Sequence, residues 1–144
     1  SAGDDNVAKI WNLSTGTEIF SLTLNNQIKT TAISDSGELA FTTSQREDAL
    51  VWDTKTGKEK FKFENRYINY TSADFSDDEK YITLGSFQGD IARWSIKSGD
   101  KVKSWKAKPR QAYGGASSKA IVDLIDMKSS IIALTSDGML ETFK

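Results

Sequence analysis

Apolar positions along this chain recur every second residue in short runs, with no sustained stretch at a helical spacing. In the first run Val7, Lys9 and Trp11 fall on one side of an extended chain and Ala8 and Ile10 on the other. That is the period of a β-strand with two unlike faces. Runs of this kind predict strands over about 7–13, 18–24, 28–34, 39–44, 49–52, 60–63, 68–76, 81–85, 91–96, 101–105, 121–127, 130–136 and 139–143. Turn chemistry separates them. Asp35-Ser36-Gly37-Glu38 and Asp77-Asp78-Glu79-Lys80 suit type I turns, while Ser14-Thr15-Gly16, Lys55-Thr56-Gly57 and Lys97-Ser98-Gly99 each bring Gly to a tight connection. The chain is expected to be all-β.

The pattern also repeats. An aromatic residue closes a strand at Trp11, Trp52, Trp94 and Phe143, with spacings of 41, 42 and 49 residues. Strand and turn alternating at a forty-residue period is the rhythm of a four-stranded propeller blade. The series Phe75-Ser76-Asp77-Asp78-Glu79-Lys80, Leu84-Gly85-Ser86, Ile91-Ala92-Arg93-Trp94 and Ser98-Gly99 resembles the WD40 repeat, and Val51-Trp52-Asp53 contains the Trp-Asp dipeptide. The resemblance implies a partial WD40-like β-propeller, two complete four-stranded blades flanked by two incomplete ones. It divides a single propeller fragment, 1–144, into blade pieces at about 1–25, 26–65, 66–107 and 120–144, with an inserted loop at about 106–119.

In that family a His, an Asp, a Ser or Thr and the Trp form a buried hydrogen-bonded tetrad. This chain has no His. The Asp position is matched at Asp5 and Asp137 but reads Arg46 and Gln88 in the middle copies. The structural repeat positions carried over are therefore Trp11, Trp52, Asp53, Trp94, Phe143, Asp5 and Asp137, and blades are expected to be held chiefly by packing and ladder bonds. Trp11, Trp52, Trp94, Phe61, Phe63, Phe75 and Tyr81 are expected in the core or between blades.

Two partial blades point to the C-terminal blades of a longer protein, consistent with a chain that opens at Ser1 without Met. Ring-closing members of the family complete their last blade with a strand from the other terminus. Open edges also suggest self-association. The degenerate repeats and single Pro resemble bacterial WD40-repeat proteins. The resemblance allows a cytoplasmic protein or one of the bacterial envelope, any lipoprotein anchor lying outside this segment.

Composition narrows the chemistry. With no His and no Cys, Ser-His-Asp and Cys-His catalysis, His- or thiolate-ligated metals and disulfides are excluded within this chain. No apolar run reaches membrane-spanning length, so no membrane insertion by this segment is expected. Asp4-Asp5-Asn6, Asp77-Asp78-Glu79 and Asp123 with Asp126 lack the loop and closing Glu of a calcium site. No catalytic residues, metal or cofactor are assigned, and the chain is not expected to be an enzyme. The formal charge is −1, yet residues 101–119 carry Lys101, Lys103, Lys106, Lys108, Arg110 and Lys119 with no acid, leaving −7 on the rest. Trp105, Pro109 and Tyr113 interleave with these charges, and residues 113–118 read as a flexible tip.

Trp105, Lys106, Lys108, Arg110 and Tyr113 are the candidate partner-binding residues of a basic, aromatic loop for an acidic partner. The same lysines could instead guard an outer sheet edge. Arg66 and Tyr67 are further candidates, as interface residues or as packing substitutes for the missing tetrad. Nucleic acid binding is not expected, because the net charge is near zero and no recognition motif is present. The function this implies is a non-catalytic protein–protein interaction scaffold. The alternatives are half of a propeller enzyme whose catalytic residues lie in a missing segment, and a purely structural assembly module.

Overall fold

The computed structural model describes residues 1–44, 46–63, 68–112, 115–117 and 119–144. Among these residues there is no helix, and the strands are all antiparallel. They form sheets of two, four, four and three strands, the content of a partial WD40-like propeller, and one further short hairpin. The chain divides into two compact units, Ser1–Tyr67 and Ile68–Lys144.

The first unit holds β1 (Val7–Asn12) paired with β2 (Thr17–Thr23), and a meander of β3 (Ile28–Ile33), β4 (Leu39–Ser44), β5 (Ala49–Asp53) and β6 (Glu59–Phe63). β4 is buried at every residue, as befits an inner strand. Phe41 and Val51 are fully buried, and Phe41, Phe61 and Phe63 meet edge-to-face with ring centres 4.7–6.3 Å apart.

The second unit begins with β7 (Tyr70–Phe75), β8 (Tyr81–Ser86), β9 (Asp90–Ser95) and β10 (Lys101–Lys106), paired in sequence order with β10 at the edge. A hairpin of β11 (Arg110–Ala112) and β12 (Gly115–Ser117) follows, then β13 (Ile121–Asp126), β14 (Ile131–Thr135) and β15 (Leu140–Phe143). Ile91, Ala107, Ile121, Leu124, Ile131 and Ala133 form one buried cluster, with Trp105 and Phe143 packed against it. Gly85 makes this approach possible: a Cβ there would collide with Ser72 and Ile121.

The residue after each repeat Trp has a visible job. Asp53 accepts hydrogen bonds from the backbone N–H of Lys55 and Thr56 at 3.0 and 2.8 Å, and Asn12 does the same for Ser14 and Thr15 at 2.9 and 3.1 Å. Ser95 accepts from the N–H of Ser98 at 3.3 Å. Asp, Asn and Ser interchange here because the turn needs a short side chain with an oxygen acceptor. In each turn a Gly at φ of 66–74° then closes back onto the carbonyl of that same residue at 2.8 Å.

Trp52 donates its indole N–H to the Thr42 hydroxyl at 2.8 Å, and Trp11 donates to that of Ser1 at 3.0 Å, both across ten residues. The Trp–hydroxyl half of the tetrad thus persists without the His. In the third copy the residue ten positions before Trp94 is Leu84, which carries no hydroxyl. Trp11, expected in the core or between blades, is 41% exposed. Its strand belongs to a two-stranded sheet, and the Lys9 ammonium lies 5.6 Å from the ring centre.

Candidate protein-interaction site

The basic segment starts on an open edge. β10 pairs only with β9, and all its residues except Trp105 are exposed. Lys101 lies 5.7 Å from the centre of the Trp94 ring and Lys103 5.2 Å from that of Trp105. These are cation–π distances. Lys103 Nζ and the Trp105 indole N–H both donate to the Lys144 carbonyl, at 3.0 and 3.1 Å. Trp105 therefore faces the core of its own unit, with its one donor satisfied.

Beyond β10 the chain leaves the sheet and returns, and both crossings are tied down. On the way out, Ala107 N–H donates to the Gly89 carbonyl at 2.9 Å, and Lys108 N–H to Glu141 Oε2 at 3.1 Å. On the way back, Lys119 Nζ lies 2.9 Å from Asp137 and 3.5 Å from Glu141, all three side chains only 11–16% exposed. Ala120 and Ser136 exchange two further bonds, at 2.9 and 3.2 Å. Gly89, at φ 83°, sits between the two crossings, and a Cβ there would strike the Lys119 carbonyl.

Electrostatics follows this geometry. The Thr135 hydroxyl, at 2.5 Å, and the Lys119 ammonium hold the Asp137 carboxyl down at about 2. Hydrogen bonding to Asp137 in turn raises the Lys119 ammonium above its ordinary range. Of the six cations read from the sequence, Lys119 is thus consumed in the anchor. Lys106 pairs with Asp90 at 2.7 Å, but both side chains are more than half exposed, so the pair is weak and open to exchange. Lys108 is exposed. Arg110 lies in β11, its side chain outside the described residues, and Tyr113, Arg66 and Tyr67 lie outside them altogether.

The insertion, expected as a loop, contains the β11–β12 hairpin, registered Arg110↔Ser117, Gln111↔Ala116 and Ala112↔Gly115; residues 113, 114 and 118 of the expected flexible tip lie outside the described residues. Asp5 accepts from Val7 N–H at 3.1 Å, ahead of β1. Phe143 lies against the core cluster.

Sequence reasoning missed the most buried charge in the second unit. Asp126 of β13 has a fully buried side chain. It accepts from Arg93 Nε at 3.0 Å, from a second guanidinium nitrogen of Arg93, and from the Thr83 hydroxyl. Its own backbone N–H donates to Asp74 at 2.8 Å. The network joins β8 and β9 to β13 and is a structural latch in its placement, enclosed where a substrate would need access. The burial alternation of β13 places Asp126 on the inner face, but nothing local names Arg93 as its partner.

Among the described residues, no three acidic side chains gather as a metal ion requires, and no helix is long and apolar enough to cross a membrane. The first unit holds a mainly apolar cleft of about 330 Å³ beside Ala8, Ile10, Leu22 and Phe41.

No family model matches the chain. It is 28% identical over 123 residues to eukaryotic translation initiation factor 3 subunit I of Bombyx mori, a match covering 77% of the chain and 37% of that protein. Likeness and sheets together fit a WD40-like family. The chain spans little more than a third of the length of the relative it matches.

Proposed function

We propose that the chain is a non-catalytic scaffold for protein–protein contact, its sheets serving as propeller blades that present the basic insertion to an acidic protein partner. One observation carries this reading: a run of cations without an acid emerges from a sheet edge on a base clamped by Glu141, Asp137 and Gly89. A clamped base lowers the entropy lost when the hairpin is bound. Lys108 is exposed and Lys106 is held only by an exposed pair with Asp90, which keeps their charge for a partner. Likeness to a subunit of an initiation factor supports a role within an assembly.

The test is affinity capture from native extract with the chain as bait, beside a variant carrying Lys106→Glu, Lys108→Glu and Arg110→Glu. Far-UV circular dichroism checks that both are folded. Proteins held by the parent and released by the variant are the expected result. The same proteins held by both would move the interface elsewhere, and none held by either would favour a purely structural module.

A further inference from the structure

We propose that the β8–β9 turn supplies the apolar anchor of this surface, so that its partner is an acidic segment bearing an apolar side chain. The carboxylates would engage Lys106 and Lys108, and the apolar residue would cover Phe87 and Ile68. This rests on the docking role just proposed for the insertion.

Phe87 is the central observation. It stands in a turn whose strands are well packed, yet 58% of it is exposed. It has an apolar neighbour, because its N–H donates to the Asn69 carbonyl at 2.9 Å, beside Ile68, itself 40% exposed. A lone exposed apolar side chain needs no explanation. Phe87, bonded through its backbone to Asn69, and Ile68, the residue before Asn69, put two exposed apolar side chains on adjoining backbone.

Its position gives the patch its meaning. Two residues after Phe87, Gly89 receives Ala107 on one side and crowds the Lys119 carbonyl on the other. Asp90 then holds Lys106. The turn therefore adjoins the base of the basic insertion, where Lys106, paired with Asp90, and Lys108 two residues on leave the sheet. An aromatic anchor with a charged rim is the anatomy of an interface hot spot. The rim selects an acidic partner by charge. Phe87 and Ile68 ask that partner for an apolar side chain as well, which an acidic protein segment carries and a bare phosphate backbone does not.

The experiment is fluorescence anisotropy with the whole chain and two labelled probes, a peptide of Glu-Glu-Leu repeats and one of Glu-Glu-Ser repeats. The chain is expected to bind the Leu peptide more tightly, and both more weakly at high salt. Phe87→Ser should erase most of the preference for Leu, at least about tenfold, while Phe87→Leu retains it. Lys106→Glu with Lys108→Glu should abolish binding of both probes.

Loss with the charge variant but not with Phe87→Ser would overturn the anchor and leave the docking role standing. Indifference to both variants, or no binding by the parent chain, would overturn both. Tighter binding of a labelled oligothymidylate, sensitive to Phe87→Ser, would reassign the patch to nucleic acid and overturn the acidic-segment reading.

Discussion

Removing Arg93 is expected to cost more than removing Asp126, although each change breaks the same ion pair. Arg93→Met leaves a fully buried carboxylate with the Thr83 hydroxyl and little else. Stranding one partner of a buried pair costs about 3–5 kcal/mol. Asp126→Ala strands a guanidinium that is 21% exposed and lies 5.7 Å from the centre of the Tyr81 ring, so water and the ring recover part of the loss. What remains is a Thr83 hydroxyl that has lost its acceptor but still receives Arg93 Nε at 3.4 Å, and a thinned contact, about 2–3 kcal/mol. The double change Arg93→Met with Asp126→Leu removes both charges at once and should lie within about 2 kcal/mol of the parent. Urea unfolding followed by circular dichroism measures all three. Hydrogen exchange of peptides from β7–β9 and β13 assigns the loss to the second unit. Additive single changes, or Asp126→Ala as the costlier one, would refute the reasoning.

Three further outcomes follow from the same geometry. Gly89→Ala forces a side chain to φ 83° and into the Lys119 carbonyl, so it should loosen the hairpin base, read as faster proteolysis within 106–119 with the sheets still protected. Asp53→Asn keeps the turn acceptor, as Asn12 already shows, so its thermal midpoint should stay near the parent's, while Asp53→Ala lowers it. Asp137 titrates at about 2 in the folded chain against about 3.9 unfolded, so the unfolded state takes up the proton first as pH falls. Its contribution is complete above about pH 5 and fades towards pH 2, and the stability gap between the parent and Asp137→Asn should close over that range.

Sequence range separates what the chain declares locally from what only packing decides. Val7–Asn12, Leu39–Ser44 and Tyr81–Ser86 are strands because adjacent residues alternate, and Asp53, Asn12 and Gly57 make turns through atoms two to four residues away. Even the Trp52–Thr42 bond joins neighbouring strands at a spacing that recurs. All of this is local chemistry, legible as a period or a short motif. So was the basic insertion, as a stretch of charge without acids.

What that stretch does with its charges was decided by the tertiary structure alone. Lys119 meets Asp137 and Glu141, Trp105 turns to the core, and Arg93 finds Asp126 thirty-three residues on, because separate sheets bring them together. Any of the chain's twenty acids could have balanced any of its nineteen cations. A one-dimensional pattern carries no term for contacts between sheets, so pairing, burial and the place of Phe87 beside the insertion exist only once the strands have packed.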